Sequence, residues 1–135
     1  MSAGPSGTVT LVFTDVQDSS RLWEKHGRHF EPVLALHNQL MREQIAAHGG
    51  YEVKTEGDAF MIAFADAAAA LRFCAGTQLA LSRAAWPAAV GPIAVRMGAH
   101  TGEPIVGADP RSARTDYFGP VVNRAARVAA AGHAT

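Results

Sequence analysis

Residues 51–64, YEVKTEGDAFMIAF, constrain this chain more than any other stretch. Two apolar-rich arms flank Glu56-Gly57, a pairing that reads as a β-hairpin turn and makes an antiparallel sheet part of any fold the chain adopts. Lys54, Glu56 and Asp58 crowd the tip. A hairpin that only packs has no use for three charges so close together, so the tip asks for a chemical explanation.

The neighbouring segments supply a frame for it. TVTLVFTD sets Val9, Leu11 and Phe13 against Thr8, Thr10, Val12 and Thr14, the period of a strand, and Asp15 sits at its end. DSSRLWEKHG offers Asp18 or Ser19 as the cap of a short helix that Gly27 stops. Pro32 fits the first turn of a longer helix with Val33, Leu36 and Leu40 on one stripe beside Leu34, Met41 and Ile45, closed by Gly49 and Gly50. Asp66 can cap an alanine-rich helix from about Ala67 to Arg83, which ends before Trp86-Pro87. IAVRMGAHTGEPIVG reads as a strand or hairpin with Gly98 and Gly102 as bulge or turn points. After the polar loop ADPRSARTD, Pro120 starts a last helix whose narrow apolar face is Val122, Ala125, Ala126 and Ala129. Strands and helices in this order predict an α+β sandwich, a sheet with helices packed on one face.

At 135 residues, almost half of them apolar, the chain can bury one core but hardly two. Twelve basic residues balance twelve acidic ones, and no Lys/Arg run offers nucleic acid or an anionic membrane a footprint. No apolar run is long enough to span a bilayer and MSAGPSG lacks the pattern of a secretory signal, so the expected location is cytoplasmic. Cys74 stands alone and reads as a small buried residue, not a nucleophile.

If the strands ending at Asp15 and starting at Asp58 are neighbours, two carboxylates meet at one edge of the sheet, a setting that suits Mg²⁺ or Mn²⁺. Either aspartate alone is more often a turn-former. VQDSSR between strand and helix can aim backbone N–H groups at an anion, although helix capping by Asp18 or Ser19 explains it equally well. Asn123 and Arg127, four apart, share one helix face, where an amide and a guanidinium suit a sugar oxygen and a phosphate, or simply face solvent. His100 has no second ligand at metal spacing, and Lys54 and Asp116 taken singly are a strand lysine and a turn residue.

Together the motifs are more specific. LVFTDVQDSSRLWE, VKTEGDAFMIAF, RMGAHTGEP and DYFGPVVNRAARV resemble, in order and spacing, the class III nucleotidyl cyclase catalytic domain, from Thr8 to Ala131. The resemblance implies a ferredoxin-like, palm-like antiparallel sheet in a domain covering 8–135 after a flexible 1–7, with the last strands missing. It implies an adenylate cyclase that converts ATP to 3′,5′-cyclic AMP and pyrophosphate with two divalent ions, Mg²⁺ or Mn²⁺. Asp15 and Asp58 match the metal-binding aspartates, with the backbone carbonyl of Val16 as a further ligand, and Ser19 and Ser20 fall at the phosphate-binding helix start. Lys54 and Asp116 match the pair that reads adenine, Asn123 the residue that orients the ribose, and Arg127 the one that stabilises the transition state. Family sites form between two head-to-tail domains, so a homodimer is implied. Asp18 stands where glycine is common, Glu103 where some members have a phosphate-contacting arginine, and the family's second transition-state lysine lies beyond the last helix, outside this sequence. The alternative is a weakly active or inactive nucleotide-binding or dimerisation module. TEGDAF resembles the diguanylate cyclase turn only superficially, since Ala59 stands where that group has a second acid.

Overall fold

A computed structural model describes residues 3–132. The elements run β1 (Val9–Val16), α1 (Ser19–His26), a 3₁₀ turn (Gly27–Phe30), α2 (Glu31–Ala47), β2 (Tyr51–Glu56), β3 (Ala59–Phe64), α3 (Ala67–Arg83), β4 (Val95–Gly102), β5 (Ile105–Ala108), β6 (Thr115–Phe118) and α4 (Pro120–Ala131). An antiparallel sheet of order β2-β3-β1-β4 carries the fold, and β5 and β6 form a separate two-stranded ribbon. This is the expected α+β architecture. Strand β6 lies where sequence reading sees only the end of a polar loop, because four residues are too few to show a period.

The pleat decides which layer each side chain joins. Val12, Phe60, Ile62 and Phe64 point to one face and pack with Met41 and Ile45 of α2 and Ala70 and Phe73 of α3. Val9, Leu11, Met61 and Ala63 point to the other, where they meet Tyr117 of β6 and Ala125 of α4. The helices are thus not confined to one face: α2 and α3 cover one and α4 lies on the other. Gly98 makes that possible. It sits in register with Phe13 without a bulge, and any Cβ there would run into the backbone of α4 at Ala129, so the glycine serves close approach, not a turn.

The buried line of α2 is Val33, His37, Met41 and Ile45, rotated from the expected stripe, which leaves Leu36 and Leu40 only half-buried. A histidine in the core hid that line. Its Nδ1 pairs with the Asn38 amide oxygen at 2.8 Å, its ring meets Phe60 edge-on, and its Nε2 has no protein partner. Asp66 caps α3 as expected, accepting from the Ala68 amide at 3.1 Å. Cys74 is half-buried against the α2–α3 core, and burial pushes its thiol up. Within residues 1–7, expected to be a loose start, Gly4 donates to Thr115 Oγ1 at 2.9 Å and Pro5 accepts from the Tyr117 hydroxyl at 2.6 Å.

Candidate active site

The hairpin turn is Gly57-Asp58, one residue later than the sequence indicates, with Gly57 at φ +61° as a tight two-residue loop requires. Asp58 is therefore a half-buried turn residue just ahead of β3. Because Thr14 pairs with Phe60, extending the β1–β3 register by two residues brings Asp58 level with Val16, beside Asp15. The two aspartates do share one end of the sheet. Val16 is buried among Phe30, Val33, Leu81 and Val95, which fixes the backbone that carries its carbonyl.

Asp15 has a partner that sequence reading missed. Arg96 on β4 lies directly opposite it and grips it with both arms: Nε to Oδ1 at 2.8 Å and Nη2 to Oδ2 at 2.7 Å. Its Nη1 also donates to the Ala130 carbonyl near the end of α4, at 3.4 Å. Hydrogen bonding and charge from Asp15, with further help from Asp18 and Asp58, push the guanidinium above its usual range. Asp15, and more weakly Asp18 and Asp58, thus give this end of the sheet an excess of negative charge around one arginine. That excess and the all-oxygen donors fit a hard divalent cation. Among the described residues no group of three or more His, Cys, Asp or Glu is placed to hold a metal, so any ion here would take its remaining ligands from water, backbone or a bound nucleotide.

Asp18 departs from the expected capping role. It occupies the N-cap of α1 in the left-handed region, φ 58°, and its side chain makes no cap bond. Ser19 and Ser20 open the helix, half-buried and exposed, and Ser19 does not cap either, since the N-cap position is Asp18. The Asp18 side chain leaves the amides of this first turn uncapped, and a helix start of this kind suits an anion.

The second group is assembled from the opposite edge of the sheet. Between Glu52 and Lys54 the register slips by one residue, leaving Val53 as a bulge. Strict alternation would send Val53 and Lys54 to opposite faces; with the bulge, Val53 is buried beside Tyr117 and Lys54 reaches Asp116 on β6, Nζ to Oδ2, at 3.4 Å. Glu52 and Thr55 turn the other way, bonded to each other at 2.7 Å and through Glu52 to Arg42 of α2. Asp116 is 8 % exposed and its Oδ1 accepts from the Tyr117 amide at 2.7 Å, so one oxygen is tied down and the other is presented to the lysine. The strand bearing it is clamped by Thr115 N–H to the Tyr51 hydroxyl at 3.1 Å and by Arg114, stacked on Tyr51, to the Glu52 carbonyl.

Asn123 and Arg127 are exposed on α4, on one face, while Ala125 and Ala129 hold the helix to the sheet. The chain therefore brings Lys54 to Asp116, sets Asp15 and Asp58 at the same end of the sheet, and presents Asn123 and Arg127 to solvent.

The model of the adenylate and guanylate cyclase catalytic domain family matches residues 1–135, the whole chain. This chain belongs to that family. The cyclase domain is 42% identical to an adenylate cyclase of Neurospora crassa over 144 residues and 41% identical to one of Schizosaccharomyces pombe over 142, matches that take in 93% and 92% of this chain. It spans only 6% and 8% of those proteins' own lengths. A solved structure of a Trypanosoma brucei adenylate cyclase, in its monomeric state, superposes with a TM-score of 0.89 at 30% identity, covering 96% of this chain and 71% of that one.

Arg96 did leave a trace in the sequence: a charge between the apolar Val95 and Met97 at the start of the strand. What assigns its partner is register, which the residues of one strand do not state. Among the described residues of the cyclase domain, no helix is long and apolar enough to cross a membrane.

Proposed function

We propose that this cyclase domain converts ATP to 3′,5′-cyclic AMP and pyrophosphate by intramolecular phosphoryl transfer, at sites shared between two head-to-tail copies. The Lys54–Asp116 pair carries the reading. An ammonium donor beside a tethered carboxylate acceptor is complementary to adenine, whose N1 accepts and whose exocyclic amine donates. Guanine reverses both groups and would set its O6 against the carboxylate.

Asp15 and Asp58, with the Val16 carbonyl, would hold two divalent ions, Mg²⁺ or Mn²⁺. When bound, such ions supply Lewis acidity at the attacking oxygen and charge neutralisation at the leaving pyrophosphate. The first turn of α1, at Ser19 and Ser20, receives the polyphosphate on its amides. Asn123 orients the ribose so that its 3′-oxygen faces the α-phosphorus, and Arg127 places a guanidinium where charge builds up on the transferring phosphoryl group. No residue forms a covalent intermediate. The exposed apolar side chains Ile105, Val106 and Phe118 on the β5–β6 ribbon support a protein–protein contact.

A second reading, a weakly active or inactive nucleotide-binding or dimerisation module, is favoured by one observation: Arg96 engages both carboxylate oxygens of Asp15. Incubation with Mn²⁺ and ATP or GTP separates the two. Cyclic AMP is the expected product; no cyclic product from either nucleotide, with dimers intact, establishes the module instead. Mixing the inactive Asp15→Ala and Asn123→Ala proteins should restore activity if the site is shared, and Lys54→Glu with Asp116→Cys should move preference toward GTP. An unchanged preference refutes the adenine-reading pair.

A further inference from the structure

We infer that Arg96 is a resident cation on Asp15, an autoinhibitory ion pair that a divalent metal must break before it can occupy the site. The inference rests on the reading of Asp15 as a metal ligand and goes beyond it.

Three observations carry it. The first is geometry: register places Arg96 and Asp15 face to face on paired strands, and the fork uses both carboxylate oxygens at 2.8 and 2.7 Å. The pairing is built into the sheet and needs no loop to close. The second is charge. Asp15 acts most strongly on this guanidinium and Asp18 and Asp58 add to it, so the arginine offsets negative charge at this end of the sheet. Each oxygen of Asp15 keeps a spare lone pair, and on lone pairs alone a metal could add without displacing the arginine. Electrostatics decides against that, because a dication on the same carboxylate would lie within a few ångströms of the guanidinium positive charge. The third is an alternative acceptor. Nη1 already donates to the Ala130 carbonyl, at the end of α4 where the helix dipole favours a cation. Arg96 can leave Asp15 without becoming an orphan, since its side chain is also 29% exposed to water.

The consequence is that metal affinity in the absence of nucleotide reports a competition. A partly exposed pair of this kind is worth up to about 1 kcal/mol, which corresponds to about fivefold in affinity. Mn²⁺ binding without nucleotide, read from the electron paramagnetic resonance of the free ion, should therefore tighten about fivefold in Arg96→Gln and vanish in Asp15→Asn. Arg96→Lys, which keeps the charge but loses the fork, should fall between the wild-type protein and Arg96→Gln. The wild-type protein gives an independent readout that no folding defect can mask: the Arg96 Nε–H resonance should shift as Mg²⁺ saturates the site. An Arg96→Gln affinity equal to wild type, together with an unmoved resonance, overturns the inference while Asp15→Asn still abolishes binding. Wild-type affinity in Asp15→Asn would instead overturn the metal-ligand reading, and this inference with it.

Discussion

Replacing Gly98 by alanine should lift α4 off the sheet, and the structure sets the size of the effect. The added Cβ would meet the Ala129 amide nitrogen and Cα, and would lie 2.7 Å from the Val128 carbonyl carbon. All three are backbone atoms, so no rotamer change relieves the clash. Restoring ordinary contact at about 3.5 Å means moving the helix outward by roughly 1 Å. That movement opens the layer where Ala125 and Ala129 are buried. Overpacking of this kind costs about 1–3 kcal/mol, and the upper end applies where nothing flexible can yield. Unfolding entropy of about 2.1 cal/mol/K per residue over 135 residues converts about 3 kcal/mol into a midpoint lower by about 10 °C. Gly102→Ala is the control. Its Cβ would meet Val121 Cγ2 at 2.8 Å, the end of a side chain that can turn away, and strand glycine gives back part of the cost, so its midpoint should fall by no more than about 3 °C. Thermal unfolding followed by circular dichroism measures both. A Gly98→Ala midpoint within about 2 °C of wild type, or above that of Gly102→Ala, refutes the close-approach argument. If Asn123 and Arg127 act as proposed, their place on α4 means that the turnover number should fall in Gly98→Ala as well.

Other perturbations test separate parts of the fold. Asp66→Ala removes the cap bond to the Ala68 amide and should cost about 1 kcal/mol in urea unfolding, whereas Asp66→Asn should recover most of it. Tyr117 is pushed up to about 12, chiefly by burial. Since the unfolded phenol ionises near 10, stability should be fully present below pH 10 and be lost as pH rises toward 12, a slope that Tyr117→Phe should flatten. His37 moves the opposite way: burial holds its imidazole below the usual 6.5, so the unfolded chain binds the proton first. Stability should drop as pH falls below 6.5, and His37→Leu should remove that part of the acid sensitivity in a urea–pH series.

Much of the frame was readable because local signals were strong. The β1 alternation, the Gly57 hairpin, the Asp66 cap and Pro120 at a helix start each rest on a rule that acts within a few residues. The two aspartates could be named for the same reason, since both lie at strand ends that periodicity marks. The failures are equally physical. His37 broke the apolar stripe of α2 because a buried polar residue carries no hydropathy signal. Gly98 looked like a bulge because only the neighbouring helix reveals why a side chain is excluded. Arg96 stayed hidden because its role depends on pairing across strands some eighty positions apart, |i−j| = 81. Lys54 and Asp116 were singled out by family resemblance; composition could not have joined them, because the bulge that aims the lysine is invisible until two strands are aligned.

That surplus residue at Val53 has a lasting effect on what the edge strand tolerates. In the adenine-reading role proposed for Lys54, exchanging the side chain at position 54 swaps one base-facing group for another and leaves the strand's phase untouched, so nucleotide preference would drift through ordinary point changes. Losing or gaining one amino acid in the same arm resets the phase, turning the lysine toward Arg42 and the α2 side and pulling an acidic neighbour into its place. Under the proposed role, selectivity in this hairpin would be open to substitution and closed to changes of length.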